Sequence, residues 1–380
     1  METRLAVVGG GASCIAFVYS LERKLRKNVD NLKLIIDIYE PNEDLGRGNA
    51  YLREPEFIRL NRPPEDMSID VNDPTHFLDW IKNRPLIYKK YQESEFIARK
   101  IFGDYLKDVF EDTKNSFEIK GSVINHKKEY IESIVEKYSE NLEIKSSENS
   151  ILTYSYVILA IGGKVDTNIY GLSEVENFIS NPYPLMQNLD NINLNKKIGI
   201  VGSSLTAIDC FLLLKQKGCK NITMISRRGI LPSVRGKDSK YNLNFFTKEK
   251  IKCLENININ KLLGLFLEEF TINNIDWRKL FLENKETTDY ESFKYNMQLS
   301  INDNTWFNIL RETHPILDNE WHRIKSDEKQ YFVEKLLPYY IPRRAAVPLV
   351  NANQILDSLK NKELKIKGGI KDINYIKNTF

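Results

Sequence analysis

Two short apolar runs in the chain share one pattern. "LAVV" (Leu5–Val8) is continuous and rich in β-branched residues, and "ASCIAFVYSLERKLRK" behind it repeats its apolar positions at helical spacing. Gly9, Gly10 and Gly11 separate them, and "LKLIIDIYE" (Leu32–Glu40) is the next continuous apolar run. Residues 1–40 therefore predict a strand, a tight turn, a helix and a second strand. The same order returns in "KKIGIVGSSLTAIDCFLLLKQKGCKNITMISRRG" (Lys196–Gly229). Between the two repeats, Pro41 to Pro74 is too rich in Pro, Asp and Asn for a long helix. "ESEFIARKIFGDYLKDVFEDT" goes back to helical periodicity. The alternating runs from Phe117 to Ala160 then predict an antiparallel meander feeding a buried strand that ends in Gly162-Gly163. From about residue 238 to 340 helical periodicity dominates, with Trp277, Trp306 and Trp321 among its apolar anchors. "SDEKQYFVEKLLP" predicts a helix with Ser326 as N-cap, Asp327 and Glu328 facing the positive dipole end, and Pro338 as its stop. The tail "ANQILDSLKNKELKIKGGI" predicts helix, turn and strand.

With 380 residues there is room for about two cores. The 42% apolar and 28% charged residues are an ordinary globular mixture. A net charge of +3, from 55 basic and 52 acidic residues, argues against nucleic acid as the main partner, which needs a concentrated basic face. Cys14, Cys210, Cys219 and Cys253 form no C-x-x-C pair and no metal-ligand spacing, so they read as reduced thiols. Cys14 and Cys210 fall on helices behind the glycine turns and are expected in the core. Leu5–Leu21 is uncharged, but its three glycines and the charges resuming at Glu22 make it neither a signal peptide nor a membrane span. The expected location is cytoplasmic, with no membrane partner.

The glycine turns carry the candidate chemistry. A dinucleotide turn needs one small residue for the bend, one for close approach of backbone N–H groups to a pyrophosphate, and one for helix-on-strand packing. The positive helix end then faces the phosphates. In the first unit Gly9 and Gly11 hold the first two positions and Cys14 the third. Glu40 ends the next strand, where a carboxylate accepts hydrogen bonds from a ribose diol. In the second unit Gly202, Ser204 and Ala207 hold the three positions, and the next strand ends in Ser226-Arg227-Arg228. A carboxylate there would repel a 2′-phosphate, whereas guanidinium and hydroxyl groups bind it, so the second nucleotide is expected to be NADPH and not NADH. The plainer alternatives are a structural turn at the first site and a solvated arginine pair at the second. Opposite charge preferences imply two different dinucleotides, a flavin carrier and a hydride donor.

The segments "VVGGGAS", "LGRGNAYLREPEFIRLNRPPEDMS", "RKIFGDYL", "VILAIGG", "IVGSSLTAIDC", "SRRGILP", "IDWRKLF" and "LLPYYIPRRAAVP", in that order, resemble the FAD–NAD(P)-binding oxidoreductase family related to flavin-dependent monooxygenases. The resemblance covers about residues 1–370. It implies an α/β fold of two Rossmann-like dinucleotide-binding domains, the FAD type with a β-meander and the NADPH type inserted into it, plus a helical segment. The implied division is 1–165 for the FAD domain, 166–240 for the NADPH unit, 241–340 for its mostly helical extension, and 341–380 for a return segment leaving the FAD domain incomplete. FAD is implied on Gly9, Gly11, Ser13 and Glu40, with Asn61 and Met67 on the flavin side and Gly162 at the domain-crossing strand. NADPH is implied on Gly202, Ser204, Leu205, Thr206, Ser226, Arg227 and Arg228. Cys14 departs from the family glycine. The chain also ends at Phe380, where family members usually continue with a segment that completes the FAD domain.

The implied function is that of an NADPH-dependent flavoprotein oxidoreductase, a monooxygenase that oxygenates a small nucleophilic amine, sulfur or carbonyl substrate through a flavin hydroperoxide. No acid–base catalyst is legible. His76, His126, His314 and His322 fall in no motif, and Asn61 is the candidate polar group beside the flavin ring. Disulfide reduction needs a redox cysteine pair that the sequence lacks. The basic run Arg227, Arg228, Arg235, Lys237 and Lys240 is assigned to the NADPH phosphate and solvent, the alternative being attraction of an acidic substrate. The alternative role is a non-catalytic NADPH-binding partner whose flavin site is degenerate or is completed by a second chain.

Overall fold

The computed structural model describes residues 2–28, 32–93, 96–137, 141–163, 168, 170–237, 239–281 and 288–376. The chain divides into two units, Met1–Asp190 and Asn191–Phe380.

The first unit begins with the predicted βαβ: β1 (Glu2–Val8), α1 (Ala12–Asn28) and β2 (Lys33–Tyr39). Short helices α2 (His76–Lys82) and α3 (Pro85–Glu93) precede α4 (Arg99–Ile119). Strands β3 (Val123–Lys127), β4 (Ile131–Glu136), β5 (Leu142–Ser146), β6 (Ile151–Tyr154) and β7 (Tyr156–Leu159) follow, and α5 (Leu185–Asn188) closes the unit. A parallel sheet runs in the order β3-β2-β1-β7, with Leu5 opposite Ile36 on one side and Tyr156 on the other. The meander is one strand shorter than the sequence pattern suggests. Val123–Lys127 joins the parallel sheet beside β2, and only β4-β5-β6 are antiparallel.

Helix α4 buries Ile101, Phe102, Tyr105, Leu106, Val109 and Phe110, pairs of neighbours recurring every four residues, which is one face of a 3.6-residue helix. That face and α1 pack on the core of β1 and β2 around Val7, Val18, Ile36 and Ile38. Each such fully buried side chain contributes roughly 1.5–3 kcal/mol. On the opposite face of the sheet a polar cluster joins the meander to it. Buried Asp37 accepts from Asn125 Nδ2 at 2.7 Å and Tyr154 Oη at 2.8 Å, and Arg4 Nε lies 3.3 Å away. A buried carboxylate is tolerable only when partnered in this way. Burial and the neighbouring Asp37 push the Tyr154 phenol far above its ordinary value, so it remains a donor.

The second unit contains β8 (Ile198–Val201), α6 (Leu205–Gln216), β9 (Ile222–Ile225) and β10 (Val234–Arg235). The predicted helical stretch holds α7 (Lys248–Lys252), α8 (Ile259–Ile272), α9 (Trp277–Phe281), α10 (Tyr290–Asn302), α11 (Thr305–Glu320), α12 (Ser326–Tyr331) and α13 (Leu337–Arg344). After it come β11 (Val347–Pro348), α14 (Leu349–Lys360) and β12 (Leu364–Lys367). Trp306 is buried in one helical cluster with Phe270, Phe307 and Leu310, and Trp277 packs beside it.

Further features differ from the sequence expectations. Residues 166–190 go with the first unit, where Leu185 N donates to Glu54 Oε1 at 2.8 Å. Residues 341–376 fall in the second unit, where β11 pairs with β10 and β12 lies parallel to β9. Strands β7 and β8 are not buried. Among the described residues each is at the edge of its sheet, and Leu159 and Val201 are exposed. Finally, Pro338 does not stop the helix. A π-type turn over Phe332–Leu336 shifts the hydrogen-bonding register, which puts Pro338 in the first turn of α13, where no N–H is required. The N-cap of α12 is Lys325, and Ser326 is its first helical residue.

Candidate nucleotide sites

The first glycine turn sits at the C-terminal end of β1, which has β2 on one side and β7 on the other. This is a switch point of an open α/β sheet, the place where such folds bind ligands. Parts of its own unit pack closely against the turn. Gly9 has φ +99°, and a Cβ there would lie 2.4 Å from the Ala160 carbonyl oxygen, just beyond β7. Gly10 N donates to Glu40 Oε2 at 2.9 Å, and Gly46 N donates to Gly10 O at 2.7 Å. Gly11 faces Gly48 closely enough that a Cβ on Gly11 would lie 3.4 Å from the Gly48 Cα. Two side-chain-free backbones meeting at a helix N-terminus form the kind of cradle a pyrophosphate needs.

Three of the predicted residues converge here: Gly9, Gly11 and Glu40. Glu40 Oε1 accepts from Asn42 N at 3.1 Å and Asn42 Nδ2 at 2.7 Å, so its carboxylate is oriented before any ligand arrives. His126 Nε2 lies 2.8 Å from the Glu40 carbonyl oxygen, giving that histidine a place in holding the strand end. Ser13 is exposed in the first turn of α1. Cys14, in the family-glycine position, is buried. Burial and then Glu40 push its thiol up to about 12, which makes it packing and not chemistry.

The sequence reading named no role for Gly46, Arg47 or Gly48. Arg47 is buried, pairs with Asp104 and donates to the carbonyls of Tyr51 and Lys100, fixing the segment that carries Gly48 onto α4. The available signal was two glycines in "LGRGNAY", both of which take positive φ.

Asn61 is exposed on the loop after β2. Met67 is half-buried against the first core, just behind a short 3₁₀ turn at Pro64–Asp66. Asp70 pins the end of this loop to α1, accepting from Arg23 Nη2 at 2.7 Å and Tyr19 Oη at 2.8 Å. Burial raises its pKa, but these bonds and the Asn72 amide outweigh that and hold the carboxyl at about 2. Gly162, with φ +68°, is exposed and has no atom of the described residues within 4 Å of its Cβ position.

The second turn is less crowded. Gly202 has φ +115° with nothing among the described residues within 4 Å of a built Cβ, and its N–H donates to Ile225 O at 2.7 Å. Ser204 is the extended N-cap of α6, and its side chain makes no capping bond, so the hydroxyl is exposed at the positive helix end. Leu205 and Thr206 form the first turn of α6, with Thr206 exposed. Ser203 Oγ lies 2.9 Å from Ser226 Oγ and 2.7 Å from Ile230 O, which ties the glycine turn to the end of β9. Gly202, Ser204, Leu205, Thr206 and Ser226 thus belong to one surface of this unit. Arg227 is exposed at its edge, while Arg228 turns toward α13. The residues present fit an anionic dinucleotide with a phosphate beside Arg227.

Residues 6–164 match the family model described as FAD-NAD(P)-binding. That match lies within the first unit, and its description agrees with the FAD and NAD(P) binding that the sequence resemblance implied. No curated protein matches the chain. Among solved structures it is similar to the reduced form of ornithine hydroxylase (PvdA) from Pseudomonas aeruginosa, at 12% identity over 99% of this chain and 75% of that one, with a TM-score of 0.48. It is also similar to DfoA, the cadaverine monooxygenase from Erwinia amylovora, at 15% identity over 84% and 67%, with a TM-score of 0.44. A third is closed cyclohexanone monooxygenase, at 17% identity over 62% of this chain and a TM-score of 0.41, and the chain spans 40% of that protein's length. No helix among the described residues is long and apolar enough to cross a membrane.

Proposed function

We propose that the chain is an NADPH-dependent flavoprotein oxidoreductase and, within that class, a monooxygenase acting on a small nucleophilic amine, sulfur or carbonyl substrate in the cytoplasm. The observation that carries the reading is the contrast between the two strand ends. An oriented Glu40 carboxylate stands over the first glycine turn, and Ser226 with an exposed Arg227 stands over the second. The first set suits the unphosphorylated ribose of FAD and the second suits a 2′-phosphate.

The backbones of Gly9, Gly11 and Gly48 and the start of α1 would receive the FAD pyrophosphate, and Glu40 the ribose hydroxyls. Gly202, Ser204, Leu205 and Thr206 would hold the pyrophosphate of NADPH at the N-terminus of α6, where helix dipole and free N–H groups act together. Asn61 is assigned the polar position beside the flavin ring, and Met67 an apolar wall. When bound, the two cofactors supply hydride transfer and oxygen activation, and the chain supplies orientation and exclusion of water. Asp70, through Tyr19 and Arg23, holds the loop that carries both residues.

The test is to incubate the purified chain with FAD, remove free cofactor, and record flavin absorbance and NADPH oxidation in air. One FAD retained per chain, with NADPH consumed in preference to NADH, is the expected result. A colourless protein that still binds NADPH would establish the non-catalytic partner role instead.

A further inference from the structure

The two arginines at the end of β9 have different surroundings. Arg227 is exposed, whereas Arg228 is half-buried and its guanidinium carbon lies 4.2 Å from the centroid of the Tyr339 ring. Arg228 Nη1 also donates to the Pro338 carbonyl, so one edge and one face of the guanidinium are already engaged by α13. That helix is fixed in place by Arg343, which is 3% exposed. Arg343 Nε donates to Leu280 O at 2.7 Å and Nη1 to Ser233 Oγ at 2.9 Å, while Ser233 N donates to Pro342 O at 2.7 Å. Burial and then Arg228 lower Arg343 to about 10, so it remains a cation at neutral pH.

The gap lined by Arg228, Ile230, Phe281, Tyr339, Pro342 and Arg343 has a volume of about 10 Å³. That is room for one water and not for a phosphate. Arg228 is therefore poorly placed to wrap a phosphate inward. What it offers is a flat, pre-ordered cationic surface backed by an aromatic ring, at the strand end where the nucleoside of a dinucleotide lies.

We propose that Arg228 stacked on Tyr339 is the platform for the adenine base of NADPH, which leaves Arg227 for the 2′-phosphate. This rests on the reading of the second unit as an NADPH site. It adds α13, far from the glycine turn in sequence, to the determinants of nucleotide affinity. Because the platform is ordered before binding, little side-chain entropy is lost when the base stacks on it.

The two roles separate in a calorimetric titration of the full chain with NADPH and with NADH. Adenine is common to both, so Tyr339→Leu weakens both by the same factor, about tenfold for the loss of one stacking contact, and leaves their ratio unchanged. Tyr339→Phe keeps the ring and binds as the wild type. If Tyr339→Leu does not fold, Arg228→Met is read in the same way. A Tyr339→Leu chain that binds both dinucleotides like the wild type, whatever its melting temperature, overturns the platform and leaves a structural staple. So does a loss confined to NADPH. A wild-type chain that binds neither dinucleotide overturns the NADPH reading as well as the platform.

Discussion

The two glycine turns obey one local pattern and differ in what surrounds them. The first lies between two strands, so the chain leaving β7 crowds it, and Gly9 has the Ala160 carbonyl where a side chain would go. The second lies at the end of β8, the edge of the order β12-β9-β8. Among the described residues, no strand of that sheet lies beyond it and no atom comes within 4 Å of a built Cβ on Gly202. The strand ends differ too, with a carboxylate held by Gly10 and Asn42 in one unit and a serine followed by an exposed arginine in the other. Strand, turn and helix are therefore a reusable frame. The neighbouring strand sets how closely the turn is packed, and on the proposed reading the residue ending the next strand selects the nucleotide.

The largest expected effect comes from adding a methyl group to each turn. Gly9→Ala combines positive φ with a backbone clash and should cost about 3 kcal/mol or more, with loss of FAD retention. Gly202→Ala meets strain alone and should cost about 1–2 kcal/mol. Urea unfolding of both variants measures the difference, and equal losses would erase the contrast between a packed and a less crowded turn.

Next is Arg227→Ala, which removes a charge-assisted phosphate contact. NADPH binding should weaken about 10- to 100-fold with NADH unchanged, as read by calorimetric titration. Equal loss for both nucleotides would remove the 2′-phosphate argument.

A comparable effect, lost at low pH, concerns the loop after β2 in the first unit. Asp70 is held at about 2 in the native chain against 3.8 as its ordinary value, so it adds stability at neutral pH. The contribution is complete above the unfolded value and fades as pH falls from about 4 through 2. Asp70→Asn should cost about 2 kcal/mol at pH 7. The gap to wild type should close as the pH approaches 2, followed by denaturant unfolding across that range.

Both βαβ units were legible because a continuous apolar strand, a glycine turn and an apolar helix leave a signal within some 40 residues. Glu40 and Ser226–Arg227 were legible for the same reason, since each directly follows its strand. The partner of β12 was not. A four-residue strand has no local mark of which sheet it joins, and β9 lies far upstream. Pro338 misled because the π-type turn before it changes the bonding register, which composition does not encode. The approach of Gly48 to Gly11 was hidden too, because it depends on Arg47 anchoring its loop to a helix that comes much later in the chain. The different settings of Arg227 and Arg228 likewise depend on α13, more than a hundred residues away.

Whether the chain holds two separate nucleotide sites can be read from one competition experiment. Full-length protein saturated with NADP+ is titrated with FAD while both bound species are counted. The account expects one FAD to bind per chain with the NADP+ still in place. Displacement of NADP+ by FAD, mole for mole, would mean a single shared site and would contradict it.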